Sequence, residues 1–172
     1  AVVSRLGAMQ AQDYAGAKWA IGQRTADWLT DAEVERAFNA GEILRMHILR
    51  PTWHFVATTD VRWLLALSAP RVKVANASMY RKLELDDAVF RKSHKAIEKA
   101  LRDGQRLKRV ELAAHLTRAG VAQAEGIRMA HLMMQAELDG VLSSGGREGN
   151  HFTYALLDSR VAPAKSFDRD QS

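Results

Sequence analysis

Cysteine is missing from all 172 residues, which excludes a disulfide framework, a thiolate zinc site and a cysteine nucleophile. No apolar run reaches the roughly 18 residues of a membrane-spanning helix, and no basic stretch followed by an apolar one suggests a secretory signal. The catalytic templates GxxxxGK, GxGxxG, GxSxG and HExxH are all lacking. Six histidines are scattered without the spacing of a helical metal site. Asp86-Asp87 and Asp168-x-Asp170 read as a helix cap and an exposed tail rather than acid–base pairs. Together these absences point away from a metal enzyme, and no cofactor is expected. A cytoplasmic location is the default expectation that remains.

What is present is ordinary in bulk: 47% hydrophobic and 26% charged residues, enough for one large domain or two small ones. The net charge of +5 is unevenly spread. Residues 1–50 carry six basic and six acidic side chains, 51–120 carry fourteen and seven, and 121–172 carry five and seven. The basic middle is either the footprint of a nucleic-acid binder or a solvated lysine/arginine face. The chain opens at Ala1 within an apolar repeat of Val2, Val3 and Leu6, and closes on a polar tail from Asp168 to Ser172, so a fragment of something longer is expected.

The element order is informative. Thr30-Asp-Ala-Glu33 has the capping-box pattern, Val34, Ala37 and Phe38 form an apolar stripe, and Gly41 stops that helix. Ile43–Arg50 and Trp53–Val56 around Pro51 read as a hairpin. Thr59-Asp60 caps a further helix, and Pro70 opens another, basic one through Tyr80. Then follow an amphipathic helix over 86–102, a helix over 110–119, a third over about 123–139, and short strands Val141–Ser144 and His151–Leu156 around Gly145–Gly149. Helix, short strand, helix, helix, hairpin is the order of a winged helix, and the first half repeats it more loosely. The expected fold is mainly α with short β-hairpins, in tandem winged-helix (helix-turn-helix) domains. The first unit covers 1–83, the second 84–160, and 161–172 forms a linker or tail.

A winged helix commonly sets its third helix in the major groove and its hairpin turn on backbone or minor groove. Here Ile127, Ala130, Met134 and Leu138 would be the buried stripe, leaving Arg128 and Gln135 to read bases and Arg147 to meet phosphate. Against this, Glu137 and Asp139 lie on the same helix, and many winged helices are protein-interaction modules.

One constellation fits chemistry. In Gln10-Ala11-Gln12, residues i and i+2 point roughly 200° apart on a helix but to one side on extended backbone. If the tripeptide is non-helical, both amides converge on one water or one sugar. An amide accepts and donates hydrogen bonds but is no strong base, so such a pair suits a reaction whose leaving group is already activated. The alternative is a solvated or capping pair.

The stretches Val2–Tyr14, Arg45–Val56 and Ala136–Gly145 closely resemble, in the same order, the AlkZ/YcaQ family of bacterial winged-helix DNA glycosylases. The resemblance implies three tandem winged helices and a small β-barrel in roughly twice this length, acting on alkylated bases and, in some members, on interstrand crosslinks. The AlkZ branch carries Gln, an aliphatic residue, then Gln, which Gln10-Ala11-Gln12 matches, so the catalytic role carries over to Gln10 and Gln12. Arg50 is a phosphate candidate. Trp53 is a core residue or a base-stacking platform, and His54 faces DNA or satisfies a buried hydrogen bond. The resulting expectation is a monofunctional glycosylase excising N-alkylated or crosslinked purines from double-stranded DNA. The alternative is a non-enzymatic DNA-binding protein such as a transcriptional regulator.

Overall fold

The structure is a computed structural model that describes residues 2–163, so the tail expected over 168–172 lies outside the described residues. A short helix α1 (Val2–Arg5) leads into strand β1 (Ala8–Gln10), helices α2 (Tyr14–Gly22) and α3 (Asp31–Ala40), and a hairpin of β2 (Ile43–Arg50) and β3 (Thr52–Ala57). Next come α4 (Val61–Lys82), α5 (Asp87–Ala100), β4 (Leu107–Lys108), α6 (Arg109–Arg118), α7 (Gly126–Leu138) and a second hairpin, β5 (Leu142–Glu148) with β6 (His151–Leu156). Two antiparallel three-stranded sheets result, ordered β1-β3-β2 and β4-β6-β5. In each, a short early strand pairs with the returning strand of a later hairpin. The mainly α, tandem winged-helix class expected from the element order therefore stands.

Local chemistry explains most boundaries. Thr30 and Glu33 form the reciprocal capping box of α3, and Gly41 ends it at φ 86°, where a Cβ would be strained. The Asp86 carboxyl accepts from Val89 N at 2.8 Å to start α5. Asp13 does the same for α2 through Gly16 N at 3.1 Å, so the extended segment ending at Gln12 turns at once into a helix.

The helix break expected at Pro70 does not occur: α4 runs 22 residues with Pro70 inside it. The ring removes one backbone hydrogen bond. Burial of Val61, Leu64, Leu65, Ser68, Ala69, Val72 and Asn76 on one face outweighs that loss. The second hairpin is also longer than expected. β5 continues through Gly145–Glu148, with a register shift between Ser144 and Gly146, so the turn shrinks to Gly149-Asn150.

The core has several parts. Leu44, Met46, Ile48 and Val56 pack one face of the first sheet on Val61, Leu64 and Leu65 of α4. Phe38, Phe55, Val34 and Ile21 fill the space under α2 and α3. Leu112, Leu116, Met129, Leu132 and Ala136 join α5, α6 and α7. The stripe expected along α7 holds at Met134 and Leu138, which pack on Ala69 and Val72 of α4, but fails at Ile127, which is 59% exposed. The helix is thus sandwiched between its own core and α4.

Polar contacts join β2 and α3 to β5 and α7. Arg45 N donates to Ser144 Oγ at 2.9 Å, and Arg147 N donates to Asn39 Oδ1 at 2.8 Å. His47 on β2 meets Glu137 on α7 in a fully buried pair, with the His47 backbone N also donating to Glu137 Oε2 at 3.0 Å.

Candidate active site

Gln10 ends β1 opposite His54 of β3. The ladder carries on past the strand, because Ala11 N donates to Trp53 O at 2.8 Å. The tripeptide is therefore extended: Ala11 is completely buried while Gln10 and Gln12 are exposed. Both glutamines share one side of the edge strand, and the residue between them is a tooth in the core. Gln12 Oε1 accepts from Trp53 N at 3.4 Å.

The backbone of this segment is gripped from the neighbouring sheet face by Arg45. Its Nε donates to Ala11 O at 2.9 Å and one terminal nitrogen to Gln12 O at 3.5 Å. The guanidinium lies 4.3 Å from the Trp53 ring and 4.7 Å from that of Phe152, a cation–π arrangement on two aromatic rings. Burial pulls its pKa below the ordinary arginine value. Arg45 lies within the stretch Arg45–Val56, whose pattern alone does not mark it as a site residue. Its signal is a lone charge between the apolar neighbours Leu44 and Met46 of a β-rich run.

Beneath the helix that follows, the Tyr14 ring sits among Phe38, Phe55 and Phe152, with centroids 4.9–5.6 Å away. Its hydroxyl donates to Glu35 at 2.9 Å, and burial with that carboxylate drives its pKa upward. Lys18, nearly buried, pairs with Asp31 at 2.9 Å and with Glu35 at 2.6 Å. These contacts fix α2 directly behind the glutamines.

The other residues named from sequence separate. Arg50 stands exposed at the β2–β3 turn, as a phosphate contact requires. His54 is 3% exposed, and its Nδ1 donates to Thr52 O at 2.8 Å. Burial lowers its pKa, Arg50 and His47 acting in the same direction and the Thr52 hydrogen bond against it, so the ring is engaged inside the protein. Gln135 is buried, accepting from Tyr80 at 2.8 Å and donating to Asp139 at 2.9 Å, which leaves no edge for a base. Arg128 is committed to the carbonyls of Leu83, Ala122 and Glu84, at 2.9, 2.7 and 3.1 Å. Arg147 turns inward between Tyr14 and Phe152, 3.7 Å from Glu35, and so is not a wing-tip cation. The side chains expected to read bases from α7, and Arg147 expected at phosphate, are thus engaged within the protein. In both cases packing between the two halves claims the side chains.

Among the described residues no group of three or more His, Cys, Asp or Glu side chains is placed to hold a metal ion. Nor is any described helix long and apolar enough to cross a membrane.

Paired sheets of identical strand order, carrying an extended glutamine pair on one edge, define a tandem winged-helix protein with an exposed amide site. The chain belongs to the DNA glycosylase AlkZ-like family, whose model matches residues 3–172. Among solved structures it is similar to the Streptomyces sahachiroi DNA glycosylase AlkZ. The TM-score is 0.79 and the identity 22%, over 94% of this chain and 44% of that one. The chain thus spans less than half the length of that protein. No curated protein matches the sequence.

Proposed function

We propose that this chain carries the catalytic segment of a monofunctional DNA glycosylase that excises N-alkylated or crosslinked purines from double-stranded DNA. The supporting observation is the extended Gln10-Ala11-Gln12 segment, both amides on one exposed side and its carbonyls held by Arg45. In this reading residues 2–83 carry the amide pair and 84–160 form a second winged helix against them.

The chemistry needs little from the protein. A purine alkylated at N7 is already cationic, so its glycosidic bond is weakened before binding. As the C1′–N9 bond breaks, its electron pair neutralises the departing base, and the sugar takes on oxocarbenium character. Water forms the new bond at C1′ and loses its proton to solvent. The two glutamines orient that water, one amide oxygen accepting from it, while their dipoles face the developing sugar charge. Neutral amides suffice because the leaving group needs no proton. Arg50 would hold a phosphate at the adjacent turn.

The test is a duplex bearing one N7-methylguanine, in which heat- or alkali-labile abasic sites are counted. Excision without strand nicking is expected, and Gln10→Ala or Gln12→Ala should each lower it about 10- to 1000-fold. Excision that survives in the double variant refutes the assignment. DNA binding without any excision of methylated or crosslinked purines would favour the regulatory alternative.

A further inference from the structure

On the sheet face opposite the glutamine side chains, Arg45 and Trp53 border an open cleft of about 750 Å³ that extends to α6 and the second hairpin. Its lining joins two kinds of group. Phe152 and Tyr154 add aromatic surface to Trp53, and Val110 and Ala113 add aliphatic surface. Lys108 and Arg109 join Arg45 as cations, against one lining carboxylate, Glu125; one terminal nitrogen of Arg109 donates to Gly126 O at 2.7 Å, which leaves its charge beside the cleft. Lys108 also pairs with the exposed Glu148 at 3.0 Å, whereas Arg45 has no carboxylate within 4 Å among the described residues.

Aromatic surface interleaved with cations is the lining that recognises single-stranded nucleic acid, where bases stack and phosphates meet positive charge. The volume falls within the range of small-ligand sites. It is far too small for a double helix, whose bases are in any case hidden in their stack. Within a DNA duplex, a nucleotide displaced from the stack is the one that presents both an aromatic face and a phosphate to such a cleft.

Resting on the glycosylase reading, we infer that this cleft receives one unpaired nucleotide of the DNA, its base among Trp53, Phe152 and Tyr154 and its phosphate toward Lys108 and Arg109. Arg45 makes the two places one device, because the cation beside the cleft also holds the carbonyls of Ala11 and Gln12. A nucleotide seated there bears on the residue that positions the amide pair.

Two exposed valines provide a matched pair of variants. Val110, 72% exposed, lines the cleft, and Val74, 77% exposed on α4, does not. Neither is in the core, so Val110→Glu and Val74→Glu change charge equally without emptying packed volume. Fluorescence anisotropy would compare a fully paired duplex with the same duplex carrying one unpaired thymidine. The unmodified chain should prefer the bulged duplex by about 5- to 150-fold, the range of one base stacking on aromatic side chains. Val110→Glu should abolish that preference and Val74→Glu should keep it. Equal affinity of the unmodified chain for both duplexes, or a preference that persists in Val110→Glu, overturns the inference. Excision of N7-methylguanine alongside such a result would leave the glycosylase reading intact, whereas failure to bind either duplex would remove both.

Discussion

Replacing His47 by leucine tests how β2 is held against α7. Glu137 is 1% exposed, and its Oε1 has no donor. Its Oε2 receives both the His47 ring and the His47 backbone N, the latter at 3.0 Å. Leucine at 47 removes the ring and leaves the backbone donor. Breaking one side of a buried pair costs about 3–5 kcal/mol, and the retained N–H places this case near the lower end, at about 3 kcal/mol. For a chain of this size each kcal/mol lowers Tm by roughly 2–4 °C, so a fall of about 6–12 °C is expected. Glu137→Gln keeps an acceptor of the same shape for both donors and should cost no more than about 1 kcal/mol. His47→Leu/Glu137→Leu should lose less than the two single leucine variants added together, by at least about 1 kcal/mol of coupling. Urea unfolding followed by circular dichroism gives all four values. If His47→Leu stays within about 1 kcal/mol of the parent, or Glu137→Gln is as damaging as His47→Leu, the pair is not the tie described here.

Three further outcomes follow from other contacts. Burial holds His131, His94 and His54 below their ordinary pKa of 6.5. The unfolded chain therefore takes up protons near pH 6.5 while the folded chain does not. Their contribution to stability is complete above that value and is lost as pH falls toward the depressed folded values. Melting at about pH 5.5 should come below melting at about pH 7.5, and an unchanged or higher Tm contradicts the burial argument. Gly145→Ala would put a Cβ 2.8 Å from Thr153 Oγ1 and 3.1 Å from the Tyr154 carbonyl carbon, inside β5. A loss of about 1–3 kcal/mol is expected, and unaltered urea unfolding would show that the hairpin yields freely. Arg45→Lys keeps a positive charge but loses the planar fork on Ala11 and Gln12. Base excision should slow about 10-fold or more with duplex affinity unchanged, and an equal rate means that the grip on those carbonyls is dispensable.

Local chemistry was the readable part of this sequence. Thr30 with Glu33, Asp86, Gly41 and the run from Val141 to Leu156 each announce an element within a few residues, because caps and turns depend on immediate neighbours. Strands β1 and β4, of three and two residues, carry no pattern of their own and exist only because β3 and β6 offer an edge. The continuity of α4 through Pro70 and the burial of Gln135 share one cause: α4 lies across α7. Periodicity shows that a helix has an apolar stripe but not that a second helix will cover its polar side. At the candidate site, spacing indicated what Gln10 and Gln12 would do on extended backbone. Their attachment through Arg45 and Trp53 arises from residues more than thirty positions away, which no local pattern encodes.

The burial of Ala11 makes the amide pair an all-or-nothing arrangement. Because its methyl group is completely enclosed, the strand edge has a single admissible phase. Adding or deleting one residue between Ala8 and Gln10 would turn both glutamines toward the space beside Phe55 and Phe38 and the alanine out to water. Length in this short segment is therefore under tighter constraint than composition, and a frame error of one residue would erase the site while leaving every other element where it stands.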